Sequence, residues 1–327
     1  MKLPSAFAAI AIASVSLAQT ASPQPGSASP PASPAQSAAS PAKSALATIE
    51  LKSAGAEPLA AIRYAPAKGS TERFELKLYS RNVIRMDNQA GPSGPAAEYR
   101  LECTLAVQDV TEAGEIAYSV VIDKAEVTPD DTLKPLDLDR VSKAAAAIQG
   151  SIINARIDSR GNVLSSEVVK APSEFARVQF ENVKGAITQL AAVLPEPKVG
   201  AGASWTATSS PTINSVAATQ TATYTMTAAD KGSKLALEFT RRAEPQDVNA
   251  PNGRQGSVMQ VHSFLGAGVG ESTRLFTRIS PLASSLNLET EVDFTVKQAA
   301  TEKMAEINQR FGQVMTIRTS VRSLDAQ

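Results

Sequence analysis

Two residue types on which exported proteins and metalloenzymes commonly depend are almost missing from this chain: it has one cysteine, Cys103, and one histidine, His262. A lone cysteine cannot close an internal disulfide, so the folded part must be held by packing alone. Zinc and copper sites need several His or Cys ligands, and these two residues lie far apart in sequence. No metal or cofactor is expected. His262 stands in Val261-His262-Ser263-Phe264, on the same face of a predicted strand as Phe264, and no Gly-x-Ser-x-Gly element accompanies it. A Ser–His pair needs a serine on a strained exposed turn, so His262 reads as a structural or surface residue. Cys103 alternates with Leu101 and Leu105 on an apolar face. Burial there raises a thiol pKa and makes it inert rather than nucleophilic. The chain is expected not to be an enzyme.

Aromatic residues are also few, with 9 Phe, 5 Tyr and 1 Trp. Sugar platforms and base-stacking surfaces both rely on them. Charge of one sign is missing too, since 32 Lys and Arg stand against 32 Asp and Glu. Nothing favours a nucleic acid backbone, which demands a basic surplus. The charges alternate in Glu72-Arg73-Phe74-Glu75-Leu76-Lys77, as on a solvated strand face. Calcium would need clustered acids at loop spacing with a closing Glu, which Asp130-Asp131 and Leu136–Asp139 lack. Gly266-Ala267-Gly268-Val269-Gly270-Glu271 is followed by a predicted strand and by no Gly-Lys-Ser/Thr. It therefore reads as a hairpin bend or bulge rather than a phosphate loop.

The start of the chain is distinctive. Met1-Lys2, the apolar stretch Phe7–Ala13 and Ser16-Leu17-Ala18 make a signal peptide over 1–18. Its apolar run is too short to span a bilayer. No cysteine follows the cleavage point, so a soluble rather than lipid-anchored protein, periplasmic or extracellular, is expected. Residues 19–45 are rich in Pro, Ala and Ser and read as a disordered leader. One β-rich domain is expected over 46–325, large enough to bury a core.

Within that domain the dominant period is two. Tyr99, Leu101, Cys103, Leu105 and Val107 share one face, Thr111–Gly114 supplies a turn, and Tyr118, Val120 and Ile122 repeat the alternation. This predicts a hairpin. A second hairpin turns at Asp158–Asn162, and strands are predicted at Thr219–Thr227, Val258–Phe264, Ser272–Ile279, Leu286–Val296 and Gln313–Val321. An Ala-rich helix is predicted over Asp139–Gln149, closed by Gly150. The longest helical pattern is Ser173–Leu194, where Ala176, Phe180, Val183, Ile187, Leu190 and Leu194 form one stripe. Ser173 can cap it, and Pro195 cannot continue it. The predicted fold class is α+β and mostly antiparallel β: a large curved sheet or half-barrel of about ten or more strands packed on one long amphipathic helix.

Leu194-Pro195, Lys198-Val199-Gly200 and Ser204-Trp205 follow that helix; Arg156–Val163 turns at Asp158-x-x-Gly161, and Gly266–Gly270 comes later. This order is similar to a signature in an uncharacterised family of secreted bacterial β-rich proteins, a domain of unknown function, over roughly residues 55–297. The resemblance implies no catalytic residues. The expected architecture also resembles the half-barrels of periplasmic lipoprotein and lipid carriers, which implies an apolar concavity between sheet and helix. Tyr99, Leu101, Leu105, Phe180 and Ile187 are the residues expected to line it. The expected partner is an apolar small molecule held there; the alternative is a structural or interaction module of the cell envelope without a small ligand. No nucleic acid partner and no transmembrane segment after signal cleavage are expected.

Overall fold

A computed structural model describes residues 46–86, 89–93, 96–129, 135–213, 215–228, 232–249, 257–298 and 306–325. The expected signal and leader, and Asp130-Asp131, lie outside them. The chain opens with β1 (Thr48–Ser53), β2 (Ala56–Ala60), β3 (Thr71–Met86), β4 (Gln89–Ser93), β5 (Ala97–Val110) and β6 (Ile116–Pro129). Helix α1 (Pro135–Ile148), the hairpin β7 (Ile152–Ile157) and β8 (Val163–Lys170), and helix α2 (Glu174–Thr188) follow. Then come β9 (Val199–Ala201), β10 (Ser204–Ser209), β11 (Thr212–Ile213), β12 (Val216–Ala217), β13 (Thr219–Ala228) and β14 (Ser233–Ala243). The chain closes with β15 (Gln246–Asn249), β16 (Val258–Arg274), β17 (Ala283–Gln298) and β18 (Ile307–Ser323).

One antiparallel sheet takes fourteen of these strands, in the order β1-β10-β13-β14-β16-β17-β18-β3-β5-β6-β7-β8, with β15 beside β16 and β4 beside β3. The alternation that predicts the strands also sets their register. Val107 faces Tyr118, Leu105 faces Val120 and Cys103 faces Ile122 across β5 and β6. One-residue slips would turn every apolar side chain outward, so the register is strongly determined.

The sheet is as large and antiparallel as expected, but it is not wrapped around one long amphipathic helix. The apolar stripe from Ser173 to Leu194 splits. Ser173 accepts from the Ala176 amide and starts α2, which ends at Thr188 with Gln189 as its cap. Leu190 and Leu194 stay buried outside the helix. The backbone beyond Gln189 is used elsewhere: Ala192 N donates to Tyr64 Oη (2.8 Å), Leu194 N to Arg160 O (2.8 Å), and Val193 O accepts from Trp205 Nε1 (2.8 Å). Another helical turn would consume those groups internally. The two helices are 14 and 15 residues long, packing on each other and on β6 and β8 only at one end of the sheet.

A second difference lies in β16. The Gly266–Gly270 segment is not a hairpin bend but the middle of one continuous 17-residue strand. A Cβ at Gly268 would stand 2.5 Å from Asn287 O on β17, so the two backbones approach too closely for any side chain. Phe239 and Leu288, opposite Gly268 on either side, pack together across it. Two segments predicted as loops also pair: β4 lies within Asn88–Pro95 and β15 within Glu244–Gly256.

Three apolar clusters lie on the inner face. The largest fills the end under the helices and includes Phe74, Leu101, Phe180 and Trp205. A second closes the opposite end of the long strands around Met259, Phe264, Val292, Phe294 and Phe311, with the Phe294 and Phe311 rings stacked 5.5 Å apart. The third, between them, is small: Ala222, Phe239 and Leu288 are buried, and Tyr224, Leu237 and Ile317 are partly exposed. Each large side chain taken fully out of water contributes about 1.5–3 kcal/mol, so the two end clusters dominate stability. The outer face is polar, with Arg73, Arg81 and Arg85 exposed on β3 and Asn287, Glu289 and Glu291 exposed on β17.

Candidate functional site

Tyr99, Leu101, Leu105, Phe180 and Ile187 are brought together by the fold, all in the largest cluster, and none is more than 3% exposed. They form packed interior rather than the wall of an opening. Burial pushes the Tyr99 hydroxyl and the Cys103 thiol above their ordinary pKa values. His262 lies in β16 and is partly exposed, with Nε2 2.8 Å from Thr295 Oγ1. Among the described residues no three His, Cys, Asp or Glu side chains converge to hold a metal ion. No helix of the described residues is long and apolar enough to cross a membrane.

The Arg156–Val163 turn, Leu194-Pro195 and Trp205 of the family-like signature converge on the 190–198 segment, whereas Gly266–Gly270 lies apart in β16. Asp158 accepts from the amides of Arg160 and Asn162 (both 2.9 Å), and a Cβ at Gly161 (φ +83) would stand 2.4 Å from Ala192 O. Leu194 and Trp205 are completely buried. Arg63 donates to Pro195 O (2.9 Å) and Glu196 O (2.7 Å). The signature therefore marks a seam that ties the 158–162 turn, near the β8 edge of the sheet, to β10 beside the β1 edge. An open depression of about 560 Å³ lies along it, lined by Ala47, Ile49, Leu51, Arg160, Glu196 and Pro197. Arg160 and Glu196 already pair with each other there, at 3.5 Å.

A different stretch gathers polar groups on the inner face. In the register of the sheet, Gln220, Arg241, Gly266, Thr290, Met315 and Asn82 form one row across β13, β14, β16, β17, β18 and β3. Arg241 projects from β14 in the apolar alternation Leu235, Leu237, Phe239, Arg241, Ala243. Its guanidinium carbon stands 4.8 Å from the Phe239 ring centre, a cation–π distance, and its Nε donates to Gln220 Oε1 at 3.2 Å. No carboxylate among the described residues pairs with it, and loss of hydration pulls its pKa down to about 10. The position above Gly266 is closed: a Cβ there would lie only 3.2 Å from Arg241 Cβ and 3.0 Å from Thr290 Oγ1.

Two buried oxygens in this belt have no hydrogen-bond partner. Thr290 Oγ1 is one; the other is Gln313 Oε1, whose amide Nε2 donates to Asn82 Oδ1 at 2.8 Å. An unmatched buried polar atom costs about 1–3 kcal/mol. Next to the belt lies the small third cluster, with Leu237 and Ile317 partly exposed, while Tyr224 joins it to the largest cluster by stacking 5.4 Å from Trp205. Among the described residues α1 packs chiefly on β6 and α2 on β8. Sequence reasoning passed over Arg241, Thr290 and Gln313. The signal for Arg241 was a cation at the fourth of five apolar-phase positions.

No family profile and no curated protein matches this chain. Among solved structures, OccK2 (OpdF) of Pseudomonas aeruginosa aligns with TM-score 0.23 at 6% identity, covering 78% of this chain and 98% of that one. The outer membrane protein OprG of Pseudomonas aeruginosa aligns with TM-score 0.21 at 7% identity, covering 80% and 99%. An outer membrane channel of Pseudomonas putida F1 aligns with TM-score 0.21 at 7% identity, covering 80% and 97%. Likeness at this level carries no argument about what this chain does. Its own geometry differs from what a bilayer-spanning barrel needs. Such barrels close without edges and present an apolar band outward. Here, among the described strands, β1 pairs only with β10 and β8 only with β7, and the outer face mixes charged residues on β3 and β17 with the exposed Leu265 and Val269 on β16.

Proposed function

We propose that this chain is an exported, non-enzymatic envelope protein, soluble after signal cleavage, that holds an apolar or lipid-like ligand on the uncovered middle stretch of its inner sheet face. The observation that carries the reading is the third apolar cluster: Leu237 and Ile317 remain partly exposed on the inner face, between the two larger clusters. Apolar surface held open on an otherwise well-packed face is characteristic of a binding stretch. The signal-like start of the sequence supports export.

Native mass spectrometry of the mature chain, purified without detergent from the extracytoplasmic fraction of its source, tests this. One small apolar molecule per chain is expected, together with binding of the neutral dye Nile red to the folded, delipidated protein. A ligand-free mass combined with no dye binding would overturn it. The second reading, a structural or interaction module without a small ligand, is favoured by one specific observation. The space under α2 is filled by Phe180, Val183 and Ile187, each 0% exposed.

A further inference from the structure

We infer that the outer face of β16 is a docking strip for a basic amphipathic helix of a partner protein, which lays its apolar stripe on Leu265, Ala267 and Val269 and its cations beside Glu238 and Glu289. This strip lies on the opposite face of the sheet from the proposed ligand stretch and does not depend on it.

The argument starts from an inverted alternation. The strands on either side of β16 turn Leu235, Phe239, Leu288 and Val292 inward and Glu238, Thr240, Asn287 and Glu289 outward. In the middle of β16 the inward positions are Gly266, Gly268 and Gly270, and the outward ones are Leu265, Ala267 and Val269. The inward glycines have a packing cause, since a Cβ at Gly268 or Gly270 would stand 2.5 or 2.4 Å from a carbonyl oxygen of β17. The outward residues have none. Leu265 is 55% exposed and Val269 61%, so neither contributes burial to the fold. Strand propensity alone is served as well by threonine, which β13 carries at Thr221, Thr223 and Thr225 on the same face.

Charge fixes the kind of partner. Glu238 stands beside Val269 on β14, and Glu289 beside Ala267 on β17. Among the described residues neither carboxylate pairs with a cation, whereas Glu271 pairs with Lys234 (3.1 Å) and Glu291 with Arg85 (3.8 Å). Arg318, opposite Asn287, lies over the Tyr79 ring instead. The apolar strip therefore carries uncompensated negative charge on both flanks. It attracts lysine or arginine, and it repels a second copy of itself and an anionic lipid surface. The dimensions suit a helix. Leu265 to Val269 spans about 13 Å and the two flanking strands lie about 10 Å apart, close to two and a half turns and one diameter of an α-helix.

Fluorescence anisotropy on the mature protein tests the inference, with two synthetic helical peptides of about 18 residues that share one leucine stripe. One peptide flanks the stripe with lysines and the other with glutamates. The lysine peptide is expected to bind at least about tenfold more tightly, with the preference shrinking as salt rises. Leu265→Thr with Val269→Thr should weaken it about tenfold or more at an unchanged melting temperature. Glu238→Lys with Glu289→Lys should reverse the preference, and this pair carries the test alone should the threonine pair not fold. Vesicles of phosphatidylglycerol and phosphatidylcholine should not retain the protein. Equal binding of the two peptides, a lysine preference that survives the charge reversal, or lysine-peptide binding untouched by the threonine pair would each overturn the inference. Vesicle binding that the threonine pair abolishes would overturn it in favour of a lipid surface.

Discussion

Arg241 stands on the inner face of β14 at a cost that can be measured. Its charged form is disfavoured in the folded state, where burial pulls the pKa down to about 10. The penalty is therefore fully present below about pH 10 and is relieved as pH rises towards the unfolded value. Arg241→Met is expected to be stabilised by about 1–3 kcal/mol at neutral pH in the absence of ligand. Urea melts at pH 7 and pH 11 should show that gain shrinking at the higher pH; an equal gain at both would show the charge is not the cause. Glu72 is the opposite case. Its buried carboxylate accepts from Ile279 N (2.9 Å), Ser280 N (2.8 Å) and Ser280 Oγ (2.5 Å). Glu72→Ala orphans these donors, and a loss of about 2–4 kcal/mol in the same melts is expected. Cys103, inert through burial, should react with an aromatic disulfide reagent only after unfolding. At this scale the sequence was informative about faces and silent about partners. The alternation around Cys103 announced its burial, whereas Arg241 and Thr290 meet through strand neighbours 49 positions apart in the chain.

Elements were legible where their causes are local. The hairpin of β5 and β6 follows from period-two alternation over contiguous residues, and α1 stops before Gly150, whose φ of +78 suits glycine. The far end of α2 was not legible, because Tyr64, Arg160 and Trp205 end it by taking backbone groups of residues 192–194. The unbroken course of β16 was hidden for a related reason. Glycines that usually signal a turn are here demanded by the closeness of β17. Gly268→Val should therefore cost at least about 2 kcal/mol in a denaturant melt, since the neighbour it meets is backbone that cannot swing aside. The same substitution at Gly69, with nothing within 4 Å, meets no such clash and pays only for its left-handed backbone. A melt showing Gly268→Val no worse than Gly69→Val would contradict this account of β16.

On the scale of the whole molecule, strand order could not be read from the sequence, because β3 pairs with β18 across more than two hundred residues. What that order achieves is to line up six strands so that their inner faces share one polar row between two closed apolar ends. The groove expected under the helix is filled by core side chains. Soaking crystals of the mature protein with 12-bromododecanoate and locating the bromine by anomalous scattering tests this arrangement most directly. The account predicts the bromine over Leu237 and Ile317 on the inner face of the sheet. A bromine between α2 and the sheet, in the depression beside β1, or bound nowhere would contradict it.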